Sequence, residues 1–294
     1  MKILVIGKNG QLAQELLLLS TPNVEIICMG REQINVLDKT SLLKTITENN
    51  VDAVINACAY TAVDNAEKED DQAYKINTLA VKNLAEVCKA LSLHLVQIST
   101  DFVFNGLKSS PYLPNDDTAP LSVYGKTKEE AEQLLTQIIP NASCIIRTSW
   151  VYSCYGNNFV KSMMRLMAEK PALGIVCDQI GTPTYAKGLA QVSLTAAKEK
   201  VSGIHHWTDA GVASWYDFSV AVQELAIEKG LLEKSIPINP INTESYPTPA
   251  KRPSYSVLDK SSSMLAFPDS PVIHWRKQLS SMLDELKNNK KEIT

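Results

Sequence analysis

The residues best suited to chemistry are Tyr124 and Lys128, spaced four apart in Tyr124-Gly125-Lys126-Thr127-Lys128. On a helix, positions i and i+4 share a face. That spacing sets an ammonium beside a phenol whose reference pKa is ~10. A nearby cation favours the phenolate, so the tyrosine could give or take a proton closer to neutral pH. Taken alone, such a pair on a wet helix face is common. Ser99-Thr100-Asp101 adds a second element, because it follows an apolar run ending at Ile98. Residues just past the carboxyl end of a parallel strand line the ligand crevice. Thr100 there could hold a carbonyl oxygen while Tyr124 protonates it. The bland alternative for Thr100 and Asp101 is a cap or a turn.

A third element precedes both. Gly7-Lys8-Asn9-Gly10-Gln11-Leu12-Ala13 follows the run Lys2–Ile6 and opens a helix-like segment, which is a G-x-x-G-x-x-A loop. Gly7 permits the tight turn, Gly10 lets backbone N–H groups approach a pyrophosphate, and Ala13 keeps the helix close to the sheet. A plain strand–helix turn carries the same letters, so position matters more than composition. The loop implies a dinucleotide. The next strand ends Cys28-Met29-Gly30-Arg31-Glu32. Arg31 suits a ribose 2′-phosphate, and Glu32 a ribose hydroxyl. The expectation is NADPH, with NADH left open as a second donor.

The elements that position these residues alternate. Lys2–Ile6, Val24–Met29, Asp52–Cys58, His94–Ile98 and Ser143–Arg147 read as strands. Gln11–Leu19, Gln72–Leu91 and Tyr124–Ile138 read as helices. Alternation of this kind implies a parallel sheet with right-handed crossovers. The second half is less regular. Asn158–Glu169, Tyr185–Lys198, Trp215–Lys229 and Ser280–Lys287 look helical, and Pro237–Pro253 reads as loop. The expected fold is α/β, a Rossmann-like doubly wound parallel sheet with a smaller C-terminal substrate-binding domain. Residues 1–149 would bind the dinucleotide, with segments around 175–210 returning to them. Residues 150–294 would mainly bind substrate.

Composition excludes several classes. The chain has 294 residues, 29 basic and 32 acidic, for a net charge of −3. That balance gives no electrostatic footprint for nucleic acid. No apolar run approaches the roughly 18–20 residues a bilayer requires. The six cysteines form no C-x-x-C and sit mostly in apolar runs. Reduced thiols in a cytoplasmic protein are therefore expected. His205-His206-Trp207 reads as the end of a strand, and Trp215, Tyr216 and Phe218 as helix packing. The four histidines suit no metal motif.

On several further segments the chain resembles the extended short-chain dehydrogenase/reductase superfamily, and within it the dTDP-4-dehydrorhamnose reductase family. The segments are Gly7–Leu12, Asn56-Ala57-Cys58-Ala59-Tyr60-Thr61-Ala62-Val63-Asp64-Asn65-Ala66-Glu67, and Ser99-Thr100-Asp101-Phe102-Val103-Phe104-Asn105-Gly106. Further on come Tyr124–Lys128, Arg147-Thr148-Ser149-Trp150-Val151-Tyr152, Asp178-Gln179-Ile180-Gly181-Thr182-Pro183-Thr184 and Arg252-Pro253. The Ala-Tyr-Thr-Ala-Val-Asp run is far more specific than the glycine loop.

The resemblance implies an NADPH-dependent reduction of the C4 ketone of a dTDP-sugar, in cell-surface polysaccharide biosynthesis. Gly10, Gln11 and Leu12, in one loop with Gly7 and Asn9, would touch the cofactor diphosphate. Asn35 and Val36 would lie by the adenosine, Ala59, Tyr60 and Thr61 along the cofactor, and Tyr124 and Lys128 also at the cofactor, Lys128 at its ribose. Thr100 and Tyr124 would act on substrate with Lys128 supporting both. Asp101 and Trp150 would contact the sugar nucleotide, joined by Gln179 and by Arg252, which could offer two hydrogen bonds to a diphosphate. Phe102 stands where sugar-nucleotide dehydratases need a second carboxylate, which disfavours dehydration. Asn35 stands where many relatives carry Asp. Some relatives hold Mg2+ at a dimer contact through glutamates. Glu15 matches one, but no second glutamate lies near Tyr185–Gly188, so no metal is expected, and a homodimer is left open. Two alternatives stay open: another nucleotide-sugar 4-ketoreductase, and a non-catalytic NADP-binding regulatory subunit of methionine adenosyltransferase.

Overall fold

The computed structural model describes residues 1–291. Its centre is a parallel sheet of six strands. Five come from the first half: β1 (Lys2–Ile6), β2 (Glu25–Met29), β3 (Ala53–Asn56), β4 (His94–Thr100) and β5 (Ser143–Thr148). The sixth, Gly203–His206, returns from the second half and pairs with β5. The order is Gly203–His206, β5, β4, β3, β1, β2. The ends of β1 and β3 are level, Ile6 opposite Asn56, and so are those of β4 and β5, Thr100 opposite Thr148, but β4 runs three residues beyond β3, whose Asn56 lies opposite Gln97.

The near-continuous apolar strands are explained by burial on both faces. Successive side chains alternate across the pleat. Thus Ile3, Val5, Ile55, Val96 and Ile146 pack on one face against Leu12 and Leu16 of α1 (Gln11–Leu17) and against Leu189 and Val192 of the helix Ala186–Lys198. Leu4, Ile6, Val54, Leu95 and Ile145 face the other way. They meet Leu42 and Ile46 of α2 (Lys39–Glu48), Leu84 and Val87 of a later helix, and Leu135 of another. A separate core gathers the second half around Tyr152, Met163, Phe218, Val222, Leu279 and Leu283.

Several elements differ from expectation. The helix α2 is amphipathic and capped by Asp38, whose side chain accepts from the Thr40 and Ser41 amides. It was not foreseen. The helical stretch Gln72–Leu91 is broken. After the one-turn α3 (Val63–Ala66) come α4 (Asp70–Tyr74), a π turn at Lys75–Leu79, and α5 (Ala80–Ala90). The π turn directs Asn77 and Thr78 inward. Asn77 Oδ1 accepts from the Tyr60 amide at 2.8 Å, and the Thr78 hydroxyl donates to the Thr127 carbonyl at 2.8 Å. Tertiary bonds from polar side chains therefore override the regular helix. Within Pro237–Pro253, Ile238–Ile241 forms a strand parallel to Leu173–Val176, so that stretch is not all loop. The closing helix runs Trp275–Lys291, longer than Ser280–Lys287. No described helix is long and apolar enough to cross a membrane.

Candidate active site

A two-lobed cleft opens at the carboxyl ends of β1, β3, β4 and β5, where a parallel sheet binds ligands. One lobe, about 1030 Å3, is lined by Gly7, Lys8, Asn9, Gly10, Arg31, Asn35, Val36, Tyr60 and Lys68. The other, about 570 Å3, holds Gln11, Leu12, Thr61, Thr100, Asp101, Tyr124, Lys128, Trp150, Trp215 and Arg252. Asn9, Gly10, Ala57, Cys58 and Ala59 line both, so the lobes are continuous.

The first lobe has room for an extended dinucleotide where Gly7 and Gly10 bring bare backbone to its wall. Gly7 has φ +118°, and a Cβ there would sit 3.0 Å from the Ala57 carbonyl carbon. Only glycine lets the loop pass that close to β3. The Gly10 amide donates to the Gly7 carbonyl at 2.9 Å, tightening the turn. Arg31 is exposed at the rim with Lys8 and Lys68 among its fellow lining residues, an arrangement that suits an additional phosphate. The Asn35 side chain accepts from the Leu37 amide at 3.1 Å and shapes its own loop. The Tyr60 hydroxyl donates to Glu69 at 2.7 Å. The donors, cations and bare backbone of this lobe fit NADP.

In the second lobe, α6 (Val123–Ile138) presents Tyr124 and Lys128. Ser122 caps its start by accepting from the Gly125 amide, and Glu67 accepts from the Val123 amide at 2.9 Å. Both satisfy donors that a helix end leaves free. The Lys128 ammonium donates to the Ile98 carbonyl at 2.6 Å, fixing it to the end of β4. Burial pushes its pKa down to about 8, while Glu132 opposes the shift. Burial also pushes Tyr124 up to about 12, opposed by the neighbouring Thr100 hydroxyl. The expected lowering of the phenol is therefore absent, because loss of water outweighs any pull from Lys128. The consequence is a tyrosine that keeps its proton at neutral pH, which suits an acid.

Thr100 closes β4. Its hydroxyl donates to Asp101 Oδ1 at 3.1 Å and accepts from the Phe102 amide, capping a short turn at Asp101–Val103. The capping role and the place in the cleft coexist. Asp101 Oδ2 is buried and makes no hydrogen bond of normal geometry among the described residues. Ser256 is nevertheless near enough to favour its charged form, and burial still raises the carboxyl to about 6. An unsatisfied buried oxygen beside Thr100 is a ready acceptor for a ligand hydroxyl.

The far wall is aromatic. Trp150 has φ +47°, which turns its indole onto Gly181, where a Cβ would meet the ring at 2.8 Å. Trp215 stacks on it with centroids 3.6 Å apart and planes at 10°. Trp215 was assigned to helix packing alone; it also lines the cleft. Its place at the first position of the helix Trp215–Glu228, inside a Ser214–Asp217 capping box, is the available signal. Gln179 is not brought into the main cleft. It lines a void of about 20 Å3 with Trp150, Trp215 and Arg252, and its amide donates to Thr243 at 3.1 Å.

Beneath the site, Glu132 forms a buried pair with Arg147 at 2.6 Å, and the Ser99 hydroxyl donates to the same carboxylate. The pair ties α6 to β4 and β5, one helical turn below Lys128. Glu15 accepts from Ser153 at 2.5 Å. Glu285, distant in sequence, lies near it and pairs with Lys187 at 2.6 Å. Among the described residues no group of three or more His, Cys, Asp or Glu is arranged to hold a metal.

Comparison with known proteins adds an independent finding. A family model described as the RmlD substrate binding domain matches residues 1–288. A dTDP-4-dehydrorhamnose reductase of Aggregatibacter actinomycetemcomitans is 38% identical over 289 residues, covering 96% of this chain and 98% of the relative. The crystal structure of a dTDP-4-dehydrorhamnose reductase from Clostridium acetobutylicum superposes with a TM-score of 0.90 at 40% identity, covering 98% and 100% of the two chains. A dTDP-4-dehydrorhamnose reductase from Bacillus anthracis, solved in complex with NADP, superposes with a TM-score of 0.89 at 31% identity, covering 97% and 99%.

Proposed function

This chain belongs to the RmlD family, that of the dTDP-4-dehydrorhamnose reductases, and from that premise we propose that it reduces the C4 ketone of dTDP-4-dehydro-L-rhamnose with NADPH to give dTDP-L-rhamnose. The observation that carries the assignment of roles is the meeting of Thr100, Tyr124 and Lys128 in the second lobe, which is continuous with the first through Asn9, Gly10, Ala57, Cys58 and Ala59.

NADPH, when bound, supplies the hydride to the carbonyl carbon. The Gly7–Leu12 loop would hold the diphosphate, with Arg31 at the 2′-phosphate and Asn35, Val36, Ala59, Tyr60 and Thr61 along the rest. Thr100 turns its hydroxyl hydrogen from Asp101 Oδ1 to the ketone oxygen when substrate binds, and so helps to place that oxygen. Tyr124 donates its proton to that oxygen as it gains charge. The phenolate left behind is stabilised by the Lys128 ammonium until solvent restores the proton. Asp101 accepts from a sugar hydroxyl. Trp150 and Trp215 form the wall on the nucleotide side, and Arg252 takes the diphosphate. On this division of labour residues 1–149 hold the dinucleotide and also bring Thr100, Asp101 and Tyr124 to the sugar, while residues 150–294 mainly serve the sugar nucleotide, with Ala186–Lys198 and Gly203–His206 returning to the central sheet. The six free cysteines support a cytoplasmic setting, where thiols stay reduced.

The test is NADPH oxidation by purified protein, with the 4-keto substrate made in situ by an upstream dehydratase and epimerase. Epimerase-dependent oxidation yielding dTDP-L-rhamnose is expected. Oxidation that does not need the epimerase assigns a different keto sugar, and none at all with NADPH bound overturns the reading.

A further inference from the structure

We infer that Asp64 is a positioning residue for substrate: it holds the Arg252 guanidinium so that one edge alone, Nε with Nη2, is left to bind the diphosphate of the sugar nucleotide. The inference rests on the proposal that Arg252 serves that diphosphate, and adds the residue that aims it.

Asp64 lies in α3, within the Ala59-Tyr60-Thr61-Ala62-Val63-Asp64 run, and the reaction as described gives it no role. Arg252 comes from the opposite half of the chain, in the segment preceding Pro253. The two meet across the cleft, where Val63 and Arg252 are both lining residues. Arg252 Nη1 donates to Asp64 Oδ1 at 3.0 Å, and Nη2 donates to Oδ2 at 2.8 Å. Nη1 also donates to the Ala250 carbonyl at 3.2 Å. The Ala250 amide in turn donates to Asp64 Oδ1 at 3.2 Å. The carboxylate thus grips both the guanidinium and the backbone two residues before it.

A guanidinium has five N–H donors in a fixed plane. Nη1 spends both of its donors, and Nη2 spends one. The remaining two, on Nε and Nη2, are parallel and adjacent, and have no protein partner among the described residues. That edge has the geometry of a bidentate phosphate contact. Without Asp64 the long side chain would regain rotamer freedom, and ordering it again would weaken each diphosphate contact. The close guanidinium also holds the Asp64 carboxyl below its usual range, so the grip persists at neutral pH.

The experiment measures dTDP and thymidine binding, together with steady-state kinetics, in the full-length enzyme for Asp64→Asn, Asp64→Glu, Arg252→Ala and the double variant Asp64→Asn/Arg252→Ala. Asp64→Asn should weaken dTDP and raise KM for the dTDP-sugar about 10-fold, the scale of one charge-assisted hydrogen bond. Thymidine affinity, kcat and NADPH affinity should stay within about twofold, a split that general loosening of the fold would not produce. Asp64→Glu should restore part of the loss. In the Arg252→Ala background the Asp64 change should have no further effect. If Arg252→Ala weakens dTDP but Asp64→Asn does not, or if the two effects add, Asp64 does not aim Arg252. If Arg252→Ala leaves dTDP binding unchanged, the diphosphate assignment itself fails, and the role of Asp64 falls with it.

Discussion

Replacing Gly125 with alanine is expected to cost turnover while sparing cofactor binding. Gly125 sits between Tyr124 and Lys126 in the first turn of α6 and is helical, so alanine suits its backbone. The obstacle is contact. A Cβ there would lie 2.3 Å from the Phe102 carbonyl oxygen and 2.9 Å from Pro120 Cβ. Restoring even a tight 3.0 Å contact to that oxygen requires α6 and the Asp101–Val103 turn to part by about 0.7 Å. The first carries Tyr124, and the second is the turn that Thr100 caps from the end of β4. Their rings and backbones are already engaged, with Phe102 edge-on to Tyr124 at 5.8 Å between centroids. A misplacement approaching 1 Å in a catalytic constellation costs up to about 100-fold. Overpacking of this kind typically costs about 1–3 kcal/mol of stability, a melting-point drop of several degrees. The expected result is a kcat lowered about 10- to 100-fold. NADPH affinity should hold, because the Gly7–Leu12 loop lies on other elements. Steady-state NADPH oxidation, a fluorescence titration with NADPH and a thermal melt measure the three quantities. A variant with wild-type kcat would refute the geometric coupling. Equal loss of turnover and cofactor affinity would mean that the damage is general.

Tyr124→Phe should lower kcat by about 100- to 10,000-fold, the usual worth of a general acid, with NADPH binding intact in a titration. Rapid turnover would remove Tyr124 from the acid role. The rate in the free enzyme should fall as pH rises through about 8, where buried Lys128 loses its proton. The sign follows from burial, which disfavours the cation and brings its loss down from the ordinary lysine range. A kcat/KM profile that stays level well above that pH would exclude a required ammonium. Arg31→Ala should weaken NADPH about 10- to 100-fold, as for a lost charged hydrogen bond, and leave NADH unchanged. Equal effects on both cofactors would place Arg31 away from the 2′-phosphate.

Local chemistry in the sequence determined much of this protein. Strands buried on both faces must be continuously apolar, so β1, β4 and β5 and the alternation around them were legible without coordinates. The glycine loop was legible because a side chain at Gly7 would strike the end of β3. Tyr124 and Lys128 were legible because a helix puts i and i+4 on one face. Long-range contacts decided the rest. The π turn at Lys75–Leu79 exists because Asn77 and Thr78 bond residues some fifty positions away in α6, which no window of sequence contains. The strand Ile238–Ile241 depends on a partner at Leu173–Val176, and β-pairing of that kind is set by context more than by propensity. Trp215 became part of the cleft only when Trp150, bent by its left-handed backbone, reached it. Gln179 lines a small void beside the cleft with Trp150, Trp215 and Arg252, and bonds Thr243. The proton on Tyr124 followed the same rule. Residue spacing names the partners, but how much water each loses is a property of the folded packing, and that loss set the direction of its pKa.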